Sequence, residues 1–165
     1  MHISIAKLSG KLGTKMPFSF TTNAEKLDAR SDDYAFEGPV AIEGEVISTG
    51  TGYRITGVIK CRKSFVCDRC MKPSAEDQQI PFEESVSLGG SAAEEDDHLF
   101  DGERIELDRL VRDTMLAYQP LSQLCKPDCK GLCPVCGADL NEGECGCDRH
   151  AVDPRLEALE QFFKQ

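Results

Sequence analysis

Histidine is scarce in this chain: His2, His98 and His150 are the only three, and no common spacing relates them. A catalytic zinc site keeps an open position for water and has a general base beside it, and no His-Glu arrangement of that kind occurs. A glycine-rich phosphate loop and a nucleophile elbow are also missing. These absences argue against an enzyme. No apolar run approaches the about 18 residues that a membrane-crossing helix requires, so no membrane or membrane-embedded partner is expected. The opening segment MHISIAKLSGKLG lacks an apolar signal-peptide core, which points to a reducing, cytoplasmic compartment.

Cysteine is abundant. Six of the nine cysteines fall between Cys125 and Cys147, in CKPDCKGLCPVCGADLNEGECGC. Packing alone imposes no regular spacing on thiols, whereas metal ligation does. Cys133-Pro-Val-Cys136-Gly137 has the form of a zinc knuckle, and Cys145-Gly-Cys147 supplies a second chelating pair with glycine relieving the crowding between the thiols. Cys125 and Cys129 then match the distant Cys67-Asp-Arg-Cys70. This grouping gives one tetrad of Cys67, Cys70, Cys125 and Cys129 and another of Cys133, Cys136, Cys145 and Cys147. A competing grouping puts Cys125, Cys129, Cys133 and Cys136 on one ion and the outer pairs on the other. Both use the same eight ligands, and spacing leaves both open.

Disulfides are disfavoured by the expected compartment, and a redox dithiol by the lack of a βαβ setting. Iron–sulfur clusters also take four thiolates, but paired knuckles favour two structural zinc ions. Cys61 shares strand parity with Ile55 and Ile59 and reads as a small buried apolar residue outside the ligand set.

The formal charge is −10, and two divalent ions held by eight thiolates would take it to about −14. Such a molecule can meet RNA only through a local patch, since phosphate neutralisation drives that affinity. The charge is polarised along the chain. Arg54 to Lys72 holds six bases and one acid, while Glu76 to Glu106 holds eleven acids and one base. Arg62, Lys63, Arg69, Lys72, Lys126 and Lys130 are the candidate nucleic-acid contacts, with solvated strand faces and thiolate neutralisation as the plainer reading. The run Glu94-Glu95-Asp96-Asp97 reads as a disordered acidic loop, or as a lure for a basic partner.

The fold class expected is α+β: an antiparallel β-rich N-terminal half packed by one amphipathic helix, then a cysteine-rich knuckle segment and a short C-terminal helix. Alternation marks strands at His2–Leu8, at Phe18 and Phe20, over Tyr34–Phe36 as a start broken at Gly38-Pro39, and over Gln79–Leu88. Val40–Ser48 and Tyr53–Val66 form a hairpin around Gly50-Thr51-Gly52. Asn23–Asp33 reads as a loop or short helix. Leu107, Leu110, Val111, Thr114, Met115 and Tyr118 form a helical stripe over 106–118, stopped at Pro120. Asp153-Pro154 opens a final helix with Leu156, Leu159, Phe162 and Phe163 on one side. The organisation expected is a core over 1–124 and a knuckle segment over 125–165 docked on it.

The stretch Leu124-Cys125-Lys126-Pro127-Asp128-Cys129-Lys130-Gly131-Leu132-Cys133-Pro134-Val135-Cys136-Gly137, with Leu140-Asn141 and the Cys145-Gly-Cys147 pair, resembles the YceD family, the large ribosomal RNA subunit accumulation proteins. Cys67-Asp-Arg-Cys70, Ile105-Glu106-Leu107 and Asp153-Pro154-Arg155-Leu156 fall in that family's order, with Glu106 where its pattern has Asp. The resemblance implies a bacterial, non-enzymatic factor supporting accumulation or processing of large-subunit ribosomal RNA, with that RNA's precursor or ribosomal proteins as partners and no small-molecule substrate. The residues by themselves reach a zinc-stabilised binding module, for which a zinc-ribbon protein-interaction or transcription adaptor is the alternative function.

Overall fold

The computed structural model describes residues 1–6, 8, 12–87 and 103–148. The acidic run 94–97, His98, His150 and the C-terminal helix expected after Asp153 lie outside them. The described chain is rich in antiparallel sheet and has few helices. Strands β2 (Lys15–Asn23), β3 (Tyr34–Ser48), β4 (Gly52–Val66) and β5 (Pro73–Ser87) form a four-stranded antiparallel meander in chain order. A separate two-stranded ribbon pairs β1 (His2–Ser4) with β6 (Arg104–Glu106), Ile3 facing Ile105. Helix α1 (Ala24–Leu27) follows β2, and α2 (Asp108–Ala117) follows β6.

The hairpin expected around Gly50-Thr51-Gly52 forms, with Ser48 opposite Tyr53. Three strands run longer than their apolar alternation suggests. β2 spans nine residues across Pro17, which its edge position tolerates because the missing N–H faces no neighbour. β3 crosses Gly38-Pro39 without ending: a register shift between Glu37 and Ala41 absorbs the extra residues as a bulge. β5 begins at Pro73, so the polar stretch before Ile80 is an edge segment paired along Lys60–Val66. The N-terminal strand is shorter than expected, three residues, although Ile3, Ile5 and Leu8 are all buried.

One row across the inner face of the sheet shapes it. Phe18 of β2 lies opposite Gly44 of β3, Gly44 opposite Gly57 of β4, and Gly57 opposite Phe82 of β5. The two outer rings fold over the two central glycines. A Cβ at Gly44 would come within 2.8 Å of Phe18 Cζ, and one at Gly57 within 2.9 Å of Phe82 Cε1. Around this row Ile42, Val46, Ile55, Ile59 and Ile80 form the sheet side of the core. Leu110, Val111 and Met115 of α2 cover it, together with Ile3, Ile105, Ala24 and Leu27.

Helix α2 begins two residues later than the stripe suggests, because Glu106 is taken up by β6. Its N-cap position, Leu107, makes no side-chain cap, and Asp108 provides the acidic first turn. Tyr118 is a second departure: it lies past the helix and is half exposed, so it does not belong to the packed stripe. No helix among the described residues is long and apolar enough to cross a membrane.

Candidate metal centre

β4 carries the first ligands. Its odd-numbered residues face the core, and Ile55, Ile59, Cys61, Lys63, Phe65 and Cys67 are all buried in turn. The strand therefore delivers Cys67 from the inner face just where it ends. The N–H of Met71 donates to the Cys67 carbonyl at 2.9 Å, folding residues 67–71 into a knuckle. The N–H of Gly137 donates to the Cys133 carbonyl at 2.8 Å in the same way. Both knuckles end in a left-handed residue: Gly137 has φ 74° and Met71 has φ 58°. A non-glycine residue there costs about 1–2 kcal/mol, of which glycine's greater freedom in the unfolded chain takes back about 0.5–1 kcal/mol. Met71 is well exposed and loses little packing. Met71→Gly is therefore expected to stabilise the protein by about 0.5–1 kcal/mol in urea unfolding.

The segment after α2 reaches the first knuckle through Asp68. Its N–H donates to the Gln123 carbonyl at 2.8 Å, while its carboxylate accepts from the Gln123 N–H at 2.6 Å and the Ser122 hydroxyl at 3.1 Å. Two residues on, Cys125 Sγ lies 3.7 Å from Cys70 Sγ, and Cys129 Sγ lies 3.8 Å from Cys67 Sγ. All four sulfurs of this group lie within 4.8 Å of one another, and the same holds for Cys133, Cys136, Cys145 and Cys147. Tertiary structure thus selects the first of the two groupings left open by spacing.

The distances fit a single tetrahedral ion: Zn–S bonds of about 2.3 Å place neighbouring sulfurs about 3.8 Å apart. A polynuclear iron–sulfur cluster would splay thiolates bound to different irons. Cys61 stays outside both groups, buried in the core, where desolvation pushes its thiol up to about 11.

Without a cation, four thiols in contact cannot all ionise. Burial opposes the Cys67 thiolate, but backbone N–H groups of Cys125, Cys70 and Arg69 outweigh it and bring the thiol down to about 6. Burial and the neighbouring Cys129, Cys70 and Cys67 push Cys125 up to about 12. The second group repeats this split. N–H groups of Cys136 and Val135 bring Cys133 down to about 6, whereas Cys136 and Cys145, with burial, push Cys147 up to about 12. Each tetrad thus sets a thiol that ionises readily, Cys67 or Cys133, beside one whose proton an incoming ion must displace, Cys125 or Cys147.

The six candidate nucleic-acid contacts are not alike. Lys63 is a correction: its side chain is 1% exposed and unavailable to phosphate. Its Nζ sits 2.8 Å from Glu76, donates to Gln123 Oε1 at 2.7 Å and to Gln119 Oε1 at 3.0 Å, and lies 4.9 Å from the Phe65 ring centre. Strand parity alone places it inward, in line with Ile55 and Cys67. Lys63 ties β4 to the exit of α2 and so sets the approach of Cys125. Replacing it by methionine would strand Gln123 and Glu76; because Glu76 is partly exposed, the expected loss is about 2–3 kcal/mol in urea unfolding.

Lys72 is clamped by Asp139 at 2.7 Å and Glu142 at 2.6 Å. These hydrogen bonds raise its pKa, and Lys72 in turn holds Asp139 down at about 2. Arg62 faces Asp77 at 3.5 Å, while Lys60 and Arg54 on the same outer face meet Glu43 at 2.8 Å and Glu83 at 3.5 Å. The cationic run of β4 is thus answered by acids on the neighbouring strands. Arg69 donates to the Cys129 carbonyl at 2.8 Å but remains exposed, as do Lys126 and Lys130.

The family described as large ribosomal RNA subunit accumulation protein YceD matches residues 55–163, which include all eight tetrad cysteines. The chain belongs to the YceD family. An uncharacterized protein of Mycobacterium tuberculosis is 34% identical over 124 residues, 72% of this chain and 59% of its own length. Chloroplastic YCED homologs 1 of Zea mays and Arabidopsis thaliana, named as large ribosomal RNA subunit accumulation proteins, are 26% and 27% identical. They cover 76% and 73% of this chain, and 54% and 47% of their own lengths. This YceD chain therefore spans about half to three-fifths of the length of the curated relatives it matches. No solved structure matches it.

Proposed function

We propose that this YceD protein is a non-enzymatic, cytoplasmic factor with two structural zinc ions that supports accumulation or processing of large-subunit ribosomal RNA. The observation that carries the metal reading is the pair of four-sulfur groups, each within 4.8 Å. Four protein donors leave no open position for water or substrate, which is the arrangement of a structural rather than a catalytic ion. The family name carries the ribosomal part.

Contact with precursor RNA falls to Arg69, Lys126 and Lys130, the exposed cations beside the first tetrad. The strand cations Arg54, Lys60 and Arg62 are already matched by carboxylates. Changing Arg69, Lys126 and Lys130 together to glutamate is expected to abolish co-sedimentation with large-subunit precursors and lower large-subunit RNA in a strain relying on the variant. Changing Arg54 and Lys60 should leave both unaffected. Unchanged co-sedimentation of the triple variant, with its metal content intact, would count against this surface.

A further inference from the structure

We infer that Asn141, carried on the loop joining the two ligand pairs of the second tetrad, is a ligand-positioning residue of the first, so that the two sites take up metal cooperatively. The inference rests on the metal reading above. Asn141 Nδ2 donates to Cys129 Sγ at 3.5 Å, and its Oδ1 accepts the Lys130 N–H at 3.0 Å. The accepted N–H fixes which end of the amide meets the sulfur. Asp139 holds Asn141 in turn, its Oδ1 accepting from the Asn141 backbone at 2.8 Å and side chain at 2.7 Å. The other oxygen of Asp139 lies on Lys72, two residues beyond Cys70.

Backbone contacts close the same junction. Leu132 N–H donates to the Arg69 carbonyl at 3.0 Å and Leu140 N–H to the Gly131 carbonyl at 3.0 Å. Gly131 has φ 74°, and a Cβ there would stand 2.9 Å from the Arg69 oxygen, so the two knuckles meet without room for a side chain.

Binding of one ion by all four sulfurs of the second tetrad would tie down both ends of the loop between Cys136 and Cys145. Closing it removes the freedom that Asn141 would otherwise lose on reaching Cys129. An N–H directed at a thiolate is a charge-assisted bond that stabilises the ligand's ionised form. By linkage, metal at the first site must favour metal at the second by the same factor.

The test is native mass spectrometry of the full metal-free chain, under reducing conditions, titrated with Zn²⁺. At one equivalent, the expected spectrum holds mainly metal-free and two-metal protein. Asn141→Ala keeps all eight thiols and should let the one-metal form accumulate, with affinity at the first site about tenfold weaker. Asn141→Asp, which sets a carboxylate against thiolates, should lose at least as much. Co²⁺ binding, followed by its thiolate charge-transfer band, in a Cys145→Ser, Cys147→Ser chain reads the first site alone: with its loop left open, affinity there should already be about tenfold weaker, and adding Asn141→Ala should lower it little further. One-metal protein in statistical proportion, or Asn141→Ala with unchanged first-site affinity in the eight-thiol chain, would overturn the coupling while leaving the metal reading in place. A chain that takes up no Zn²⁺ would overturn both.

Discussion

Cys67→Ser is expected to lower the free energy of unfolding by on the order of 5 kcal/mol and to release one metal ion, whereas Cys145→Ser should release the other and leave the sheet folded. The two tetrads hold different things together. The first joins the β4–β5 turn to the chain beyond α2, across 55 to 62 residues of sequence. Binding there closes long loops and orders the approach to the core, so binding free energy is folding free energy. The second draws on residues 133–147 alone, and none of its ligands lies on a strand. Urea unfolding followed by circular dichroism, with metal content measured on the same samples, checks both halves. Equal losses of stability in the two variants would show that the tetrads do not divide the work in this way.

The second large effect belongs to the sheet. Gly44→Ala is expected to destabilise by about 3–5 kcal/mol, because the added methyl would fall on the Thr56 carbonyl oxygen and crowd Phe18 and the Gly57 Cα at 2.9 Å. Two of those three obstacles are backbone of the neighbouring strand, which cannot swing aside as a side chain could. Gly57→Ala should behave alike, with the Glu43 oxygen 2.6 Å from the new carbon. Gly137→Ala provides the contrast. Nothing stands within 4 Å of its added carbon, so only its left-handed backbone is penalised, by about 1–2 kcal/mol. Thermal unfolding of the three variants ranks them, and a Gly44→Ala protein as stable as Gly137→Ala would refute the close approach of β3 and β4.

Much of the site could be read from residue spacing. Eight cysteines in matched pairs identify themselves because chelation demands short, fixed intervals, and Cys61 separates from them by strand parity. The hairpin at Gly50-Thr51-Gly52 and the stripe of Leu110, Val111 and Met115 are likewise local patterns. The extents of β2, β3 and β5 were less legible. An edge strand needs no apolar alternation, and a bulge lets a strand continue through Gly38-Pro39 where local rules end it. Charge alone directs Lys63 to solvent, whereas Glu76, Gln119 and Gln123, each supplied from elsewhere in the chain, make an inner position tolerable.

The amino-acid sequence by itself determined which atoms are available to bind metal, because ligand chemistry is a property of residue type and short spacing. Tertiary structure decided how those ligands divide into two groups, and which cations are left over once the strands pair. Both outcomes depend on contacts between residues far apart in the chain, where an acid on one strand neutralises a base on the next and a loop amide reaches the neighbouring site's sulfur. No count along the chain contains those distances.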